Sequence, residues 1–155
     1  MLFSGCEARL ELAGIEQERQ KTVRRTDNFQ AIVASDKKVV AVANDGVLLI
    51  SDRQTLNWQR TVISEQPDFI DVVSCPDQRF AALSANKTVW LANGQARDWQ
   101  AFAIDTREDV LAIACSPDNR IWVVGSFSTI FQQNTDNSGW QEQSLNEDSM
   151  LTGIQ

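Results

Sequence analysis

The groups in this chain with chemistry to offer are few: Cys6, Cys75 and Cys115, one acid inside an apolar run (Asp71), and a set of carboxylates at turns. Histidine, the side chain most used as a general base near neutral pH and the commonest imidazole metal ligand, is absent. Tyrosine is absent too, which removes the nucleophile of sialidase-type glycoside cleavage. Other glycoside hydrolysis needs two convergent carboxylates, and the apolar runs that open each repeat hold only Asp71. A lone acid there is read as a hydrogen-bonded structural residue. No G-x-G occurs among the seven glycines, so neither a dinucleotide-binding turn nor a phosphate loop can be placed on the chain. The cysteines show no C-x-x-C spacing and have no histidine to complete a zinc site. Their odd number argues against a disulfide framework, and Cys75 and Cys115, each closing an apolar run, are read as buried core thiols. The sequence therefore predicts no catalytic residue, no metal site and no cofactor, and the chain is read as a non-enzyme.

Whatever these groups do, a periodic framework must hold them. Trp58, Trp99 and Trp140 recur at a spacing of 41 residues, each followed by Gln. Ser35-Asp36, Pro76-Asp77 and Pro117-Asp118 keep the same phase, as do the apolar starts Phe29, Ile70 and Leu111. Such a period marks a repeat architecture. Within one unit, four short β-type runs (residues 29–34, 39–43, 47–50 and 58–63) are broken by turn formers at 35–38, 44–46 and 52–57. Four antiparallel strands per repeat of about 40 residues is the pattern of a β-propeller blade. The fold class is all-β, with three four-stranded antiparallel blades over 28–63, 69–104 and 110–145, forming part of a ring. The strict period also assigns the three tryptophans to anchoring hairpins rather than to a binding platform. Asn86-Lys87-Thr88, a glycosylation sequon by pattern, falls in register on a tight turn and is read as one.

Shifting back one period makes residues 17–25 an outer strand of a further blade, leaving 1–16 as an N-terminal arm. At the other end, 151–155 match the opening of another inner strand. The expectation is a natural product longer than this sequence, and, for three blades alone, self-association through open blade edges. No run of 18 apolar residues is present to form a membrane-spanning helix. Phe3-Ser4-Gly5-Cys6 is similar to the end of a bacterial lipoprotein signal, which implies lipidation at Cys6 and a periplasmic or cell-envelope location.

The segment Ser51-Asp52-Arg53-Gln54-Thr55-Leu56-Asn57-Trp58 and residues 133–140 resemble worn copies of the Asp-box (BNR) hairpin, S-x-D-x-G-x-T-W. Arg53 and Thr55 depart from its Asp and Gly. With the opening Arg25-Thr26-Asp27-Asn28-Phe29-Gln30-Ala31 and the repeat length, the chain resembles the photosystem II assembly and stability factor family of BNR-like propellers over residues 20–155. That resemblance implies a non-catalytic scaffold assisting the assembly or operation of a membrane complex. The competing class is an extracellular glycan-binding or glycan-cleaving propeller. WD repeats are set aside because their glycine-histidine dipeptide is missing and the recurrent tryptophan follows the third-to-fourth strand turn.

Charge gives the one spatial clue to function. The formal net charge is −7, which removes the attraction to phosphate backbones that supports nucleic-acid binding. In a four-stranded meander, turns after strands two and four share one face. That face collects Asp45, Glu65, Asp68, Asp105, Glu108, Asp109, Glu147 and Asp148 against only Lys87 and Arg107. The opposite face balances Asp36, Asp52, Asp77, Asp98, Asp118 and Asp136 with six bases. The acidic face is the expected contact for a basic partner, such as a positively charged segment of a membrane protein.

Overall fold

The computed structural model describes residues 12–136, 138–145 and 147–154. Its strands form three four-stranded antiparallel sheets, each a meander in chain order. The first blade holds β1 (Phe29–Ala34), β2 (Lys38–Ala43), β3 (Val47–Asp52) and β4 (Gln59–Val62). The second holds β5 (Phe69–Ser74), β6 (Phe80–Ser84), β7 (Thr88–Ala92) and β8 (Gln100–Ala103). The third holds β9 (Val110–Cys115), β10 (Ile121–Gly125), β11 (Thr129–Gln133) and β12 (Trp140–Ser144). The three predicted blades and their antiparallel order are therefore present.

Neighbouring blades pack face to face, and this is why the second strands are apolar on both sides. Val40, Val42 and Leu48 of the first blade meet Phe69, Val72, Phe80, Ala82 and Trp90 of the second. The alternate residues of the second blade, Ala81, Leu83 and Val89, meet Val110, Ile113, Ile121, Val123 and Phe131 of the third. Every residue of β6 is buried, as a strand sandwiched between two blades requires. Outer strands β4, β8 and β12 are mostly exposed, and β4 and β12 are mostly polar.

The junctions also carry a periodic polar clamp. Gln78 and Asn119 occupy equivalent turn positions with left-handed backbone (φ 71° and 63°). The Gln78 side-chain carbonyl accepts the Asp36 N–H at 2.9 Å, and that of Asn119 accepts the Asp77 N–H at 2.9 Å. On the other face, Gly125 lets β10 end against the Asp109 carbonyl, where a Cβ would stand only 2.1 Å from that oxygen.

Four sequence expectations are corrected. Cys75 and Cys115 are not free thiols but a disulfide with Cα atoms 5.3 Å apart, joining the second and third blades. Their separation of 40 residues places them at the same end of adjacent inner strands, which an argument from their odd number overlooked. The inner strands also differ in phase. Phe29 pairs with Ala43 as Phe69 pairs with Ser84 and Val110 with Gly125, so Ile70 and Leu111 fall at the bulges and are not the partners of Phe29.

Residues 17–25 form no strand. Ala13–Arg19 is a seven-residue helix, α1, followed by turns. α1 is built of good helix formers with a Glu16–Arg19 pair at i,i+3, and Glu18 pairs with Lys21 just beyond its end. Residues 151–154 likewise form no strand. The Leu151 N–H nonetheless donates to Gly125 O at 3.2 Å, beside the third blade. Cys6 lies outside the described residues.

The segment after α1 is tied to the first blade by Arg60 of β4. Its guanidinium donates two bonds to the Asp27 carboxylate, at 2.6 and 2.8 Å, and a third to Thr22 O. The two side chains are 12% and 2% exposed. Arg60's hydrogen bonds hold the Asp27 carboxyl below the usual Asp range, with the Arg24 N–H adding to the effect. A depressed carboxyl pKa stabilises the docked segment above the ordinary Asp value of about 4 and loses that effect as pH falls through the lowered value.

Two outcomes follow. At neutral pH, Asp27→Asn is expected to speed tryptic cleavage at Lys21, Arg24 and Arg25 while the blades stay folded; unchanged cleavage would show that the pair does not hold the segment. Reduction of the disulfide is expected to lower the unfolding free energy by about 4 kcal/mol, the loop-entropy value for a closure of this length. Urea unfolding with and without reductant measures it, and an unmoved midpoint would refute it.

Candidate partner-binding face

The acidic face is built where the turn after each second strand meets the connector that follows the fourth. In the first blade the Asp45 N–H donates to Asp68 Oδ1 at 3.1 Å and the Gly46 N–H to Pro67 O at 2.8 Å. At the third blade Ser126 Oγ accepts the Asp109 N–H and donates to Glu108 Oε2, both at 3.0 Å. Lys87 Nζ donates to the carbonyls of Thr106 and Arg107. Ser128 Oγ donates to Glu147 O at 3.2 Å. The turns predicted to share a face are thus joined to one another by hydrogen bonds.

Seven of the eight predicted acids are exposed: Asp45, Glu65, Asp68, Asp105, Asp109, Glu147 and Asp148. Glu108 is half-buried and bonded to Ser126. Among the described residues none of the eight forms an ion pair. Glu65 accepts the Ser64 hydroxyl at 2.6 Å, and that bond holds its carboxyl below the usual Glu range.

The opposite face differs in kind. There Lys38 pairs with Asp52 at 2.7 Å, Arg79 with Asp77 at 3.1 Å and Arg120 with Asp118 at 2.7 Å. The Ser116 hydroxyl, followed by Arg120, holds the Asp118 carboxyl below the usual range. Sequence reasoning counted these charges as balanced but missed that they pair locally. The signal was present, since Asp77/Arg79 and Asp118/Arg120 repeat one spacing in one phase.

Other singled-out residues have structural roles. Asp71 spends both carboxylate oxygens on backbone, accepting Val72 N–H at 2.8 Å and Ile113 N–H of the next blade at 2.9 Å. Trp99 and Trp140 are half-buried against the two junction cores, and Trp99 Nε1 donates to Ala96 O at 3.1 Å. Asn86 lies in the β6–β7 turn and accepts the Ser84 hydroxyl.

The hairpins between third and fourth strands close without an Asp-box acceptor, since the Asp position holds Arg53, Gly94 or Thr135. Asn93 Oδ1 accepts from the N–H groups of Gln95 and Arg97 instead, and Asp136 Oδ1 from that of Ser138. Among the described residues no three His, Cys, Asp or Glu side chains are grouped to hold a metal ion.

No protein-family model matches the sequence, and no curated protein matches it. Solved structures match in fold. The β-propeller domain of Cps50 (Swd1) from Myceliophteria thermophila superposes with a TM-score of 0.65 at 8% identity, over 83% of this chain and 45% of that one. Virginiamycin B lyase from Staphylococcus aureus gives 0.64 at 15% identity, over 78% and 43%. YCF48 bound to D1 peptide gives 0.56 at 17% identity, over 76% and 39%. The chain spans less than half the length of each. These likenesses establish the fold as β-propeller, and they include both an enzyme and a peptide-bound protein.

Proposed function

We propose that this chain is a non-catalytic propeller scaffold whose acidic turn face docks a basic segment of a partner protein, assisting a membrane complex to assemble or operate on the outer side of a bacterial membrane. The observation that carries the reading is the contrast between the faces: none of the eight acids on one side forms an ion pair and seven are exposed, whereas three of the six on the other, Asp52, Asp77 and Asp118, are paired. Unpaired exposed carboxylates project a field over about a Debye length, roughly 8 Å at physiological salt, and steer cationic partners. Locally paired charges largely cancel.

Three further points support the reading. A solved propeller of similar fold, YCF48, is bound to a peptide. The disulfide suits an oxidising compartment such as the cell envelope, where lipidation at Cys6 would hold the scaffold near its partner. Asp71, the acid of the inner strands, has both oxygens committed to backbone bonds, so catalysis finds no free carboxylate there.

The test reverses Glu65, Asp105 and Asp109 to Lys together; all three are exposed and without ion pairs, whereas Glu108 is left because it bonds to Ser126. Association with a Lys/Arg-rich partner segment, found by pull-down from the envelope fraction, is expected to slow by about tenfold or more and to lose most of its salt dependence. Stability is expected to move by no more than about 0.5 kcal/mol. Lys37→Glu with Arg97→Glu on the opposite face should leave the rate nearly unchanged. Equal sensitivity of the two faces would refute the reading.

A further inference from the structure

The two junctions inside the chain differ at their outer ends. Leu48 pairs with Thr61 in the first blade where Val89 pairs with Phe102 in the second, and Ile50 with Gln59 corresponds to Leu91 with Gln100. A hydroxyl therefore stands in the first blade where a ring stands in the second. Thr61 is exposed and Phe102 half-buried. The cavity that Phe102 lines, of about 300 Å³, takes no residue from the third blade. The cavity that Thr61 lines, of about 270 Å³, spans its junction: Ile50, Gln59 and Thr61 come from the first blade, Gln95 and Trp99 from the second.

A further cavity of about 400 Å³ adjoins it, sharing Lys38 and Gln95 and running out along the hairpin between β3 and β4. The larger of the two falls in the range of about 300–1,000 Å³ in which small-molecule sites lie. Together they form one cleft between two blades that both belong to this chain, on the face opposite the acidic turns.

The lining says what chemistry fits. Around the cleft Asp36, Asp52 and Asp98 are balanced by Lys37, Lys38 and Arg97, and Lys38 Nζ is already paired with Asp52 at 2.7 Å. The cleft thus offers no net field to an ion. Trp99 supplies the apolar wall. Its Nε1 is spent on Ala96 O at 3.1 Å, which fixes the ring and leaves only carbon surface for a ligand. The tryptophan packs on the junction core and also lines the cleft, so anchoring the hairpin does not use up its surface. The side chains of Gln59, Thr61 and Gln95 make no hydrogen bond among the described residues. Amides and hydroxyls both donate and accept, so these three groups can read hydroxyls in either role. An uncharged ligand with an apolar face and a rim of hydroxyls matches every one of these features.

We propose that the cleft between the first and second blades binds a neutral saccharide, the carbon-bound hydrogens of a sugar ring packing against Trp99 and its hydroxyls bonding to Gln59, Thr61 and Gln95. Thr61 is the residue that admits it, because the ring carried at the equivalent position of the second blade would fill the space. The site is independent of the acidic-face reading.

NMR titration of the full chain with maltotriose, cellotriose and triacetylchitotriose tests the proposal, reading tryptophan indole and glutamine side-chain amide signals. At least one of these saccharides is expected to shift the Trp99 indole and the Gln59 and Gln95 amides saturably while the Trp122 and Trp140 indoles stay in place. Thr61→Phe, at an exposed position, is expected to keep the folded spectrum and to weaken binding at least about tenfold. Gln59→Ala combined with Gln95→Ala, both exposed, should weaken it by a similar factor, and this variant decides if Thr61→Phe does not fold. No saturable shift with any of the three saccharides overturns the proposal. So does binding that survives both variants, or a Lys/Arg-rich peptide that shifts these same signals more strongly than any saccharide, which would assign the cleft to protein docking.

Discussion

A four-stranded blade has two apolar faces and cannot bury either alone, and every other feature of this molecule answers to that constraint. The central blade meets it on both sides: Phe80, Ala82 and Trp90 pack toward the first blade while Ala81, Leu83 and Val89 pack toward the third. Strands β6 and β7 are consequently buried almost throughout. The polar devices are secondary and work at the rims. The Gln78 and Asn119 clamps, the Asp71 bridge to Ile113 and the Cys75–Cys115 bond all cross a blade junction. Each fixes the register of two faces that hydrophobic contact alone would let slide.

This division of labour explains where the charges sit. Strands that serve the junctions leave little room for ionisable groups, so carboxylates are displaced to the turns. On one face the turn geometry brings three of the acids within reach of a base two residues away or across a hairpin, Asp77 with Arg79, Asp118 with Arg120 and Asp52 with Lys38. On the other, the turn after the second strand is tied to the connector by backbone and hydroxyl groups, and Lys87 is drawn to carbonyls. The carboxylates there are left facing solvent. An uneven field is thus a by-product of how the blades are stitched, available for a partner to use.

What was legible in the sequence is what repeats. The tryptophan period, the turn formers and the doubly apolar runs located the strands to within a residue or two, and the turn assignment placed the acidic face. What escaped was non-periodic. The disulfide depends on the spatial neighbourhood of adjacent inner strands, visible only once 40 residues is recognised as about one period. The β1–β2 turn is one residue shorter than its counterpart, Ala34 pairing with Val39 where Ser74 pairs with Phe80, and this puts Phe29 in the place of Phe69, an offset that a strict 41-residue alignment smooths over. Residues 17–25 obeyed the period, yet helix propensity and the Asp27–Arg60 pair give them a helix end and turns in place of a strand. Local pairing of the opposite face required knowing which side chains of a turn converge.

The claim that junction burial holds the molecule together is tested most directly by native-state hydrogen exchange resolved to single amides. If it is right, the amides of Ala82, Leu83 and Val89 in the central blade exchange most slowly, through global unfolding, while those of β4, β8 and β12 open by smaller fluctuations. Protection as high in the outer strands as in β6, or a first blade that opens without loss of protection in the second, would contradict it.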